Sequence, residues 1–424
     1  MKCPVPSVLA LAVCVVLIGC QRSETPTPAT APSPPATVET PAPPAPAPAA
    51  TTAPVVDLGQ VAQRVVTQSA GVKEGDTVLI NGRPGDAELL EDIAVEVRKA
   101  GGFPMVQYSS DRLAKRLFFD VPPKYDTQTD ALTMRLANVL NVVINVANQT
   151  TEDLMAGADP ARLAAQAKAG EGIGTAFMKA GVRTVELGNN LYPTPWRAQR
   201  YGLAEDALAK TFWDGVNVDY AQLQTRGEQV KTALAAGKEL HITNPNGTDL
   251  KLQMGGRPVL VSDGIISADD VKQGGGALSV YLPAGEVYTT PVAGTAEGKV
   301  VHSRSYFQGK EIDDLTMTFA AGKLTALSGT GPGYAGFKAE YDAVVDPRKD
   351  EFGFVDLGIN PEVKLPVGSK VGTWVPAGSV TVGSGANIWA GGSNTVAYAT
   401  TVFLPGSTVT LDGKTIVDHG ALKL

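Results

Sequence analysis

The chain has 424 residues, of which 43% are apolar and 19% charged, and its formal net charge is −7. This length indicates more than one domain, and the apolar content is sufficient for a packed core. The acidic balance excludes the basic surface typical of nucleic-acid-binding proteins, so no nucleic-acid partner is expected. With three histidines in all, namely His241, His302 and His419, a histidine-rich metal site is excluded as well.

The first nineteen residues resemble the signal peptide of a bacterial lipoprotein. Lys2 precedes an apolar run over residues 8–17, which is too short to span a bilayer because that takes about 20 residues. The run ends in Leu17-Ile18-Gly19-Cys20, so we expect cleavage before Cys20 and lipidation of its thiol. The alternative is an ordinary signal peptide with a chance cysteine. Because Gln21 rather than aspartate follows, we expect a lipid-anchored protein of the bacterial outer membrane that faces the periplasm.

Residues 20–54 form a spacer between this anchor and the body of the protein. Eleven prolines lie between Pro26 and Pro54, among alanines and threonines, and proline-rich chains of this kind are extended and semi-rigid. The anchor is therefore the only membrane contact that the sequence predicts. The other cysteines, Cys3 and Cys14, leave with the signal peptide, so no disulfide or cysteine metal site is expected.

The body divides by pattern into an α/β part, residues 55–238, and a β-rich α+β part, residues 239–424. In the first part, strands are predicted over 77–80, 105–108, 141–147 and 182–187. Helices are predicted after Asp86, as an N-cap, and over 160–180 and 220–236. Strands alternating with helices indicate a parallel sheet covered by helices on both faces. The glycines over 170–174 lie within a helical pattern, which favours a close helix crossing over a phosphate-binding loop.

The second part changes to short β-rich segments separated by glycine. The run Asn244-Pro245-Asn246-Gly247 between two alternating segments predicts a hairpin, because Asn-Gly tolerates positive φ angles. Further strands are predicted over 277–282, 315–319, 378–382, 397–404 and 407–411, and one helix over 336–345. This part carries the candidate site.

A carboxylate beside a tight turn is the most specific chemical signal. Residues 283–291, PAGEVYTTP, place Glu286 after a Pro-x-Gly turn, where it is a pre-oriented ligand, an acceptor for a substrate amine, or a solvent-facing side chain. The acidic run over 340–356, which includes Asp356, is typical of a solvated loop or of a hard-cation site. His302 lies in a strand-like segment, where a structural role is favoured over metal ligation.

The segment 283–291 resembles the Pro-x-Gly-Glu-Val-x-Thr-x-Pro motif of the aminopeptidase T family of thermophilic metalloaminopeptidases. Further blocks are similar in the same order, from residue 57 to the end of the chain: VKEGDTV at 72–78, VDY at 218–220, NGTDL at 246–250 and LDGK at 411–414. The resemblance implies the fold of that family. It also implies a homodimer, two divalent metal ions (Zn, Co or Mn) and removal of N-terminal residues from peptides.

Of the family's five metal ligands, one is retained in this chain and the other four positions hold different residues. The first glutamate corresponds to Glu286, which would then be a catalytic and metal-binding residue. The second corresponds to Phe354 in FVDLGIN (354–360), and the first histidine to Val375 in GTWV (372–375). In GGSNTVAYATT (391–401), Ala399 and Thr401 occupy the last two ligand positions. Phenylalanine, valine and alanine cannot bind a divalent metal, which leaves Asp356 and His302 as the remaining metal-ligand candidates.

Three functions follow from this mapping. The first is an aminopeptidase with a rebuilt site that uses Glu286, acidic residues near Asp356 and His302. The second is a pseudoenzyme that binds peptides or another small envelope ligand, with Trp374 and Trp389 shaping its cavity. The third is a structural envelope lipoprotein. The replaced ligands favour the second and third over catalysis, with both metals lost.

Overall fold

The computed structural model describes residues 56–146 and 151–424, so the predicted signal peptide, Cys20 and the spacer lie outside the described residues. The helices are α1 (Leu58–Arg64), α2 (Ala87–Lys99), α3 (Asp111–Phe119), α4 (Ala131–Leu136), α5 (Pro160–Lys179), α6 (Pro195–Tyr201), α7 (Glu205–Val216), α8 (Tyr220–Ala236), α9 (Ala268–Gln273) and α10 (Tyr334–Ala343). The strands are β1 (Thr77–Gly82), β2 (Phe103–Tyr108), β3 (Val142–Val146), β4 (Arg183–Leu187), β5 (Glu239–Asn244), β6 (Thr248–Gln253), β7 (Val259–Ser262), β8 (Ser279–Leu282), β9 (Glu286–Thr289), β10 (Glu297–Phe307), β11 (Lys310–Ala320), β12 (Lys323–Thr330), β13 (Phe352–Gly358), β14 (Val380–Gly385), β15 (Ala399–Phe403), β16 (Thr408–Leu411), β17 (Lys414–Asp418) and β18 (Ala421–Leu422).

The first sheet is parallel throughout, as the alternation of strands and helices predicts. Its five strands lie in the order β2-β1-β3-β4-β8. Helix α2 packs on it through Leu89, Leu90, Ile93 and Val97, which recur at helical spacing and are all buried. The fold class predicted for this part of the chain is confirmed.

Asp86 begins α2 differently from the prediction. It precedes the helix, but its side chain makes no capping hydrogen bond there. Instead its Oδ1 accepts a hydrogen bond from the Tyr192 hydroxyl at 2.6 Å. Asp159 and Asp219 do cap α5 and α8, because their carboxylates accept backbone N–H groups of the first turn.

Two antiparallel sheets make up the β-rich part. The second sheet has eight strands in the order β12-β11-β10-β6-β5-β16-β17-β18, and the third has five in the order β15-β14-β13-β9-β7. The hairpin predicted at Asn246-Gly247 joins β5 to β6, with Gly247 at φ 99°. The Asn246 side chain fixes this turn, since its Oδ1 accepts the Thr248 N–H and its Nδ2 donates to the Val301 carbonyl.

The chain passes directly from the first sheet to the third. Strand β8 pairs in parallel with β4 in the first sheet, and after residues 283–285 strand β9 pairs with β7 and β13 in the third. A segment beyond residue 239 thus completes the parallel sheet, a pairing that no local pattern signals. The division of the body near residue 238 stays a prediction.

No helix within residues 56–146 and 151–424 combines the length and apolar character needed to cross a membrane.

The glycines of α5 do not mark the close helix crossing that the sequence predicts. A Cβ atom added at Gly170, Gly172 or Gly174 would meet no heavy atom within 4 Å. Gly227 in α8 differs, because its Cβ would lie 2.6 Å from Cγ1 of Val261 on β7. Of the glycines in α5 and α8, Gly227 is therefore the one that packing requires.

Replacing Gly170 with alanine is expected to raise the free energy of unfolding by about 0.5 to 1 kcal/mol, because glycine costs that much in a helix interior. The matched change Gly227→Ala is expected to lower it, because the methyl group has no room. Urea unfolding monitored by circular dichroism measures both. A destabilised Gly170→Ala chain would show that another surface packs closely on α5.

Candidate active-site region

Glu286 begins β9 with its side chain fully buried, at 0% exposure. Its Oε1 accepts a hydrogen bond from Asn189 Nδ2 at 2.7 Å, and the same amide donates to the Pro283 carbonyl at 3.0 Å. Asn189 follows the carboxyl end of β4 and has a φ of 41°, a left-handed conformation that asparagine tolerates better than most residues. The solvent-facing alternative for Glu286 is therefore wrong.

The turn before Glu286 is held from three sides. The N–H of Gly285 donates to the Ser262 carbonyl and its carbonyl accepts from the Ile359 N–H, both at 2.8 Å. Asn360 Nδ2 donates to the Ala284 carbonyl at 2.6 Å. Gly285 is required here, because its φ is 128° and a Cβ would lie 2.6 Å from that of Asn360. The tight turn predicted from the sequence is thus a fixed junction.

The remaining site positions share one face of the third sheet. Asp356 on β13 lies opposite Tyr288 on β9 and Thr381 on β14, and Thr381 lies opposite Phe403 on β15. Directly opposed residues point to one face, as do residues two apart along a strand. Glu286 and Asp356 therefore belong to the same face.

Three of the family's other four ligand positions fall on this same face, while the fourth, Val375, lies between β13 and β14. Phe354 lies two residues before Asp356 on β13, and Ala399 and Thr401 precede Phe403 at intervals of two on β15. The alignment by motif therefore agrees with the register of the sheet.

Aromatic rings occupy the space beside these positions. The Phe354 ring lies 4.8 Å from that of Trp389 and 5.8 Å from that of Trp374, measured between centroids. Trp389 also contacts Tyr288 at 5.1 Å, and Trp374 contacts Phe403 at 5.2 Å. These separations are those of packed aromatic pairs in protein cores. We call these five residues the aromatic cluster.

The aromatic cluster is core and not the wall of a cavity. Phe354, Trp389 and Trp374 are 1%, 2% and 4% exposed, and Tyr288 is fully buried. The prediction that the two tryptophans shape a binding cavity is therefore wrong. Burial, with smaller contributions from nearby groups that include Asp356, raises the pKa of Tyr288 well above its usual value.

His302 lies on β10 in the second sheet and faces the aromatic cluster, with its ring 5.9 Å from that of Phe403. It is 4% exposed, and neither ring nitrogen has a hydrogen-bond partner within the described part of the chain. Burial lowers the pKa of His302 to about 4, because the apolar surroundings disfavour the imidazolium. This is the environment of a neutral core histidine.

The acidic side chains of residues 340–356 make separate contacts and do not meet at one place. Asp346 pairs with Arg348, Asp342 with Lys338, and Glu351 accepts the side-chain amide of Asn394. Glu340 and Asp356 are buried in different places, and burial raises the pKa of Glu340 to about 7. The run is neither a solvated loop throughout nor a collected set of cation ligands.

The side chains present do not fit a pair of divalent ions. Phe354, Val375, Ala399 and Thr401 stand at four of the five ligand positions, and the Glu286 carboxylate binds Asn189. Nowhere in 56–146 or 151–424 do three or more His, Cys, Asp or Glu side chains form a group that could hold a metal ion. The roles predicted for Glu286, Asp356 and His302 stay predictions, since they border one region without forming such a group.

Sequence reasoning named Phe354, Trp374 and Trp389 but did not predict that they pack with Tyr288 and Phe403 in one core. The five rings of the aromatic cluster come from β9, β13, β15 and two loops, and they meet only through the register of the third sheet. One signal was available: Phe354 stands where a glutamate ligand is expected, in a block that also supplies the turn-binding Asn360.

Comparisons with known proteins agree with the architecture. The sequence profile of the thermophilic metalloprotease family (M29) matches residues 56–331. AmpT from Thermus thermophilus is similar in structure, with a TM-score of 0.63 and 17% identity over 87% of this chain and 99% of that one. A 2,5-dihydroxypyridine dioxygenase from Pseudomonas putida KT2440 is similar too, with a TM-score of 0.55 and 15% identity over 87% and 98%. Among curated protein sequences, none matches.

Replacing His302 with leucine is expected to make the protein less sensitive to acid. Because the folded pKa lies below the ordinary value of 6.5, the wild-type protein loses stability as the pH falls from about 6.5 towards 4. The loss attributable to this residue is up to about 3 kcal/mol, and leucine removes it. Urea unfolding at a series of pH values measures the difference between variant and wild type.

The exposed Val345 provides the control, and Val345→Leu is expected to leave the acid sensitivity unchanged because neither side chain titrates. A pH-independent difference between His302→Leu and wild type would contradict the buried, neutral imidazole.

Proposed function

Since the chain belongs to the thermophilic metalloprotease (M29) family, we propose that it is a catalytically silent member of that family. Its body does not hydrolyse peptides. It acts as a lipoprotein of the bacterial envelope, facing the periplasm and anchored through Cys20, by contacts of its folded surface. Cys20 and the spacer support the proposed location, and the aromatic cluster supports the proposed loss of catalysis.

One observation supports the catalytic loss above all others. Phe354 stands at the position of a metal-ligating glutamate, and its ring is packed against those of Trp374 and Trp389. A divalent ion needs oxygen, nitrogen or thiolate donors, and hydrocarbon rings supply none. Two metal ions would activate water and polarise the peptide carbonyl in the family's reaction, so their loss removes both effects.

The surroundings of Glu286 support the same proposal. A carboxylate that binds a substrate amine needs an open approach from solvent, and Glu286 is fully buried and accepts a hydrogen bond from Asn189. In this chain the retained glutamate stabilises the junction between the first and third sheets. A catalytic role for Glu286 is the alternative, and it requires a rebuilt set of ligands.

The fold by itself leaves the chemistry open. The two similar structures are those of AmpT and of a dioxygenase, which are different proteins with one architecture. Function must therefore be argued from the site, and this site is a hydrophobic core. Peptides or another small envelope ligand, and a second copy of the chain, stay the predicted partners, and we place their contacts outside the aromatic cluster.

The proposal predicts no peptide hydrolysis. The test uses the mature chain, residues 20–424 with Cys20→Ser, incubated with short peptides and Zn²⁺, Co²⁺ or Mn²⁺ in turn, and the released amino acids are quantified. The matched control is Glu286→Gln, which keeps the side-chain volume and removes the carboxylate. We expect wild type and control to release equal, background amounts. Metal-dependent release that the control lacks would contradict the proposal.

The proposal also predicts that the aromatic cluster is structural. Replacing Phe354 with alanine is expected to lower the free energy of unfolding by about 3 to 5 kcal/mol, as for other buried aromatic residues. Phe119, whose side chain is about half exposed, is the matched control, and Phe119→Ala is expected to cost less than about 1 kcal/mol. Chemical unfolding measures both. Equal small losses would show that Phe354 is not part of a packed core.

A further inference from the structure

Most of the exposed large apolar residues of the described chain lie in the stretch of sequence that contains β2, the outermost strand of the first sheet. Of eleven large hydrophobic residues with exposed side chains, eight lie between residues 95 and 139. Five of them define what we call the β2 edge patch: Phe103 and Met105 on one face of β2, Tyr108 on its other face, Val95 on α2, and Val139 after α4. Phe103 and Val139 have 59% and 60% of their surface in contact with solvent, respectively. Patches of this kind mark contact surfaces.

The patch exists because the helices stop short of the edge of the sheet. Met105 lies beside Leu79 in the register of β1 and β2, so the two side chains share a face. Leu79 is buried with Ala137 and Phe177, in the layer that α4 and α5 form. Met105 on β2 lies beyond this cover, because β2 is the outermost strand and α4 has only six residues.

Addition of a further strand to β2 is disfavoured. The N–H of Phe103 donates to the Asp76 carbonyl and that of Ser109 to the Gly82 carbonyl. The backbone N–H and C=O groups of odd-numbered β2 residues therefore bond to β1, and those of even-numbered residues face the open edge of the sheet. The first outward position is Pro104, which has no N–H to donate. The patch therefore offers side chains to a surface and not a backbone edge to a strand.

The net charge of the segment that contains the patch is opposite in sign to that of the whole protein. Residues 95–139 contain seven basic and five acidic residues, a net charge of +2 in a chain of −7. Four of the acids are paired with basic side chains, and Asp130 accepts backbone N–H groups as a helix cap. Five basic residues of this stretch have no ion pair with any described residue: Arg98, Arg112, Lys115, Lys124 and Arg135.

We propose that the β2 edge patch is a docking surface for an anionic phospholipid membrane. Exposed aromatic and aliphatic side chains flanked by unpaired basic residues bind such surfaces, the apolar groups entering the headgroup region and the basic groups contacting phosphate. Arg98 illustrates the combination, since its guanidinium lies 5.1 Å above the Phe103 ring.

The position of the predicted lipid anchor favours a membrane as the binding partner of the β2 edge patch. The described chain begins at Val56, immediately before α1, and α1 packs against α2, the helix that carries Val95 and Arg98. A lipid at Cys20 would hold this side of the body at high effective concentration near a bilayer, so a weak surface contact suffices. The inference takes the envelope location from the proposed function and does not depend on the loss of catalysis.

The test measures vesicle binding without the anchor. The mature chain with Cys20→Ser is sedimented with phosphatidylcholine vesicles that contain or lack phosphatidylglycerol. We expect binding to the anionic vesicles only, weakened by salt. The double variant Phe103→Ser/Met105→Ser is expected to bind about tenfold more weakly, because two apolar side chains no longer enter the interface. Arg112→Gln/Lys115→Gln is expected to reduce the salt dependence.

The control is Val345→Ser/Val367→Ser, which removes two fully exposed apolar residues elsewhere and should leave binding unchanged. Failure of the wild-type chain to bind anionic vesicles, or an equal loss in the control, would overturn the proposal. Self-association by light scattering that disappears in Phe103→Ser/Met105→Ser, without vesicle binding, would assign the patch to a second copy instead. Neither outcome affects the proposed loss of catalysis, which the peptide-hydrolysis assay tests separately.

Discussion

The structure depends on the turn that carries the chain from the parallel sheet into the third sheet. Residues 283–285 separate β8 from β9, so one short segment belongs to both layers. Asn189 binds the Pro283 carbonyl and the Glu286 carboxylate, and Asn360 binds the Ala284 carbonyl. Because buried polar groups must be satisfied, these two amides fix the relation of the sheets, and Glu286 is tied into that relation. The retained glutamate thereby has a structural reason to persist without a metal.

Next to this junction, hydrophobic packing holds together the region that corresponds to the family's metal site. In a two-metal site the ions bind carboxylates and imidazoles from separate strands and hold those strands together. Here Phe354 stands at one of the ligand positions, and its ring packs against those of Trp374 and Trp389, which also contact each other. Burial of large aromatic rings contributes several kcal/mol on its own, so the third sheet stays packed without metal. His302 is enclosed in the same way, as a neutral ring against Phe403.

Local patterns predicted the elements well, while the contents of the site depended on distant parts of the chain. The helical spacing from Leu89 to Val97 and the turn at Asn246-Gly247 are encoded within a few residues, and both appear as expected. The pairing of β8 with β4 and the meeting of Phe354 with Trp389 depend on register between distant segments, which periodicity does not carry. Glu286 was found because its turn is local. Its burial was missed because the covering Asn189 lies 97 positions earlier.

The central claim is that the family's metal site has become a hydrophobic core, and metal stoichiometry tests it most directly. The purified mature chain with Cys20→Ser is incubated with Co²⁺, freed of excess ion and analysed for bound cobalt per chain. The structure predicts far less than one ion per chain, equal in wild type and Glu286→Gln. About two ions per chain, lost in Glu286→Gln, would contradict the account, because they would require a rebuilt two-metal site around Glu286.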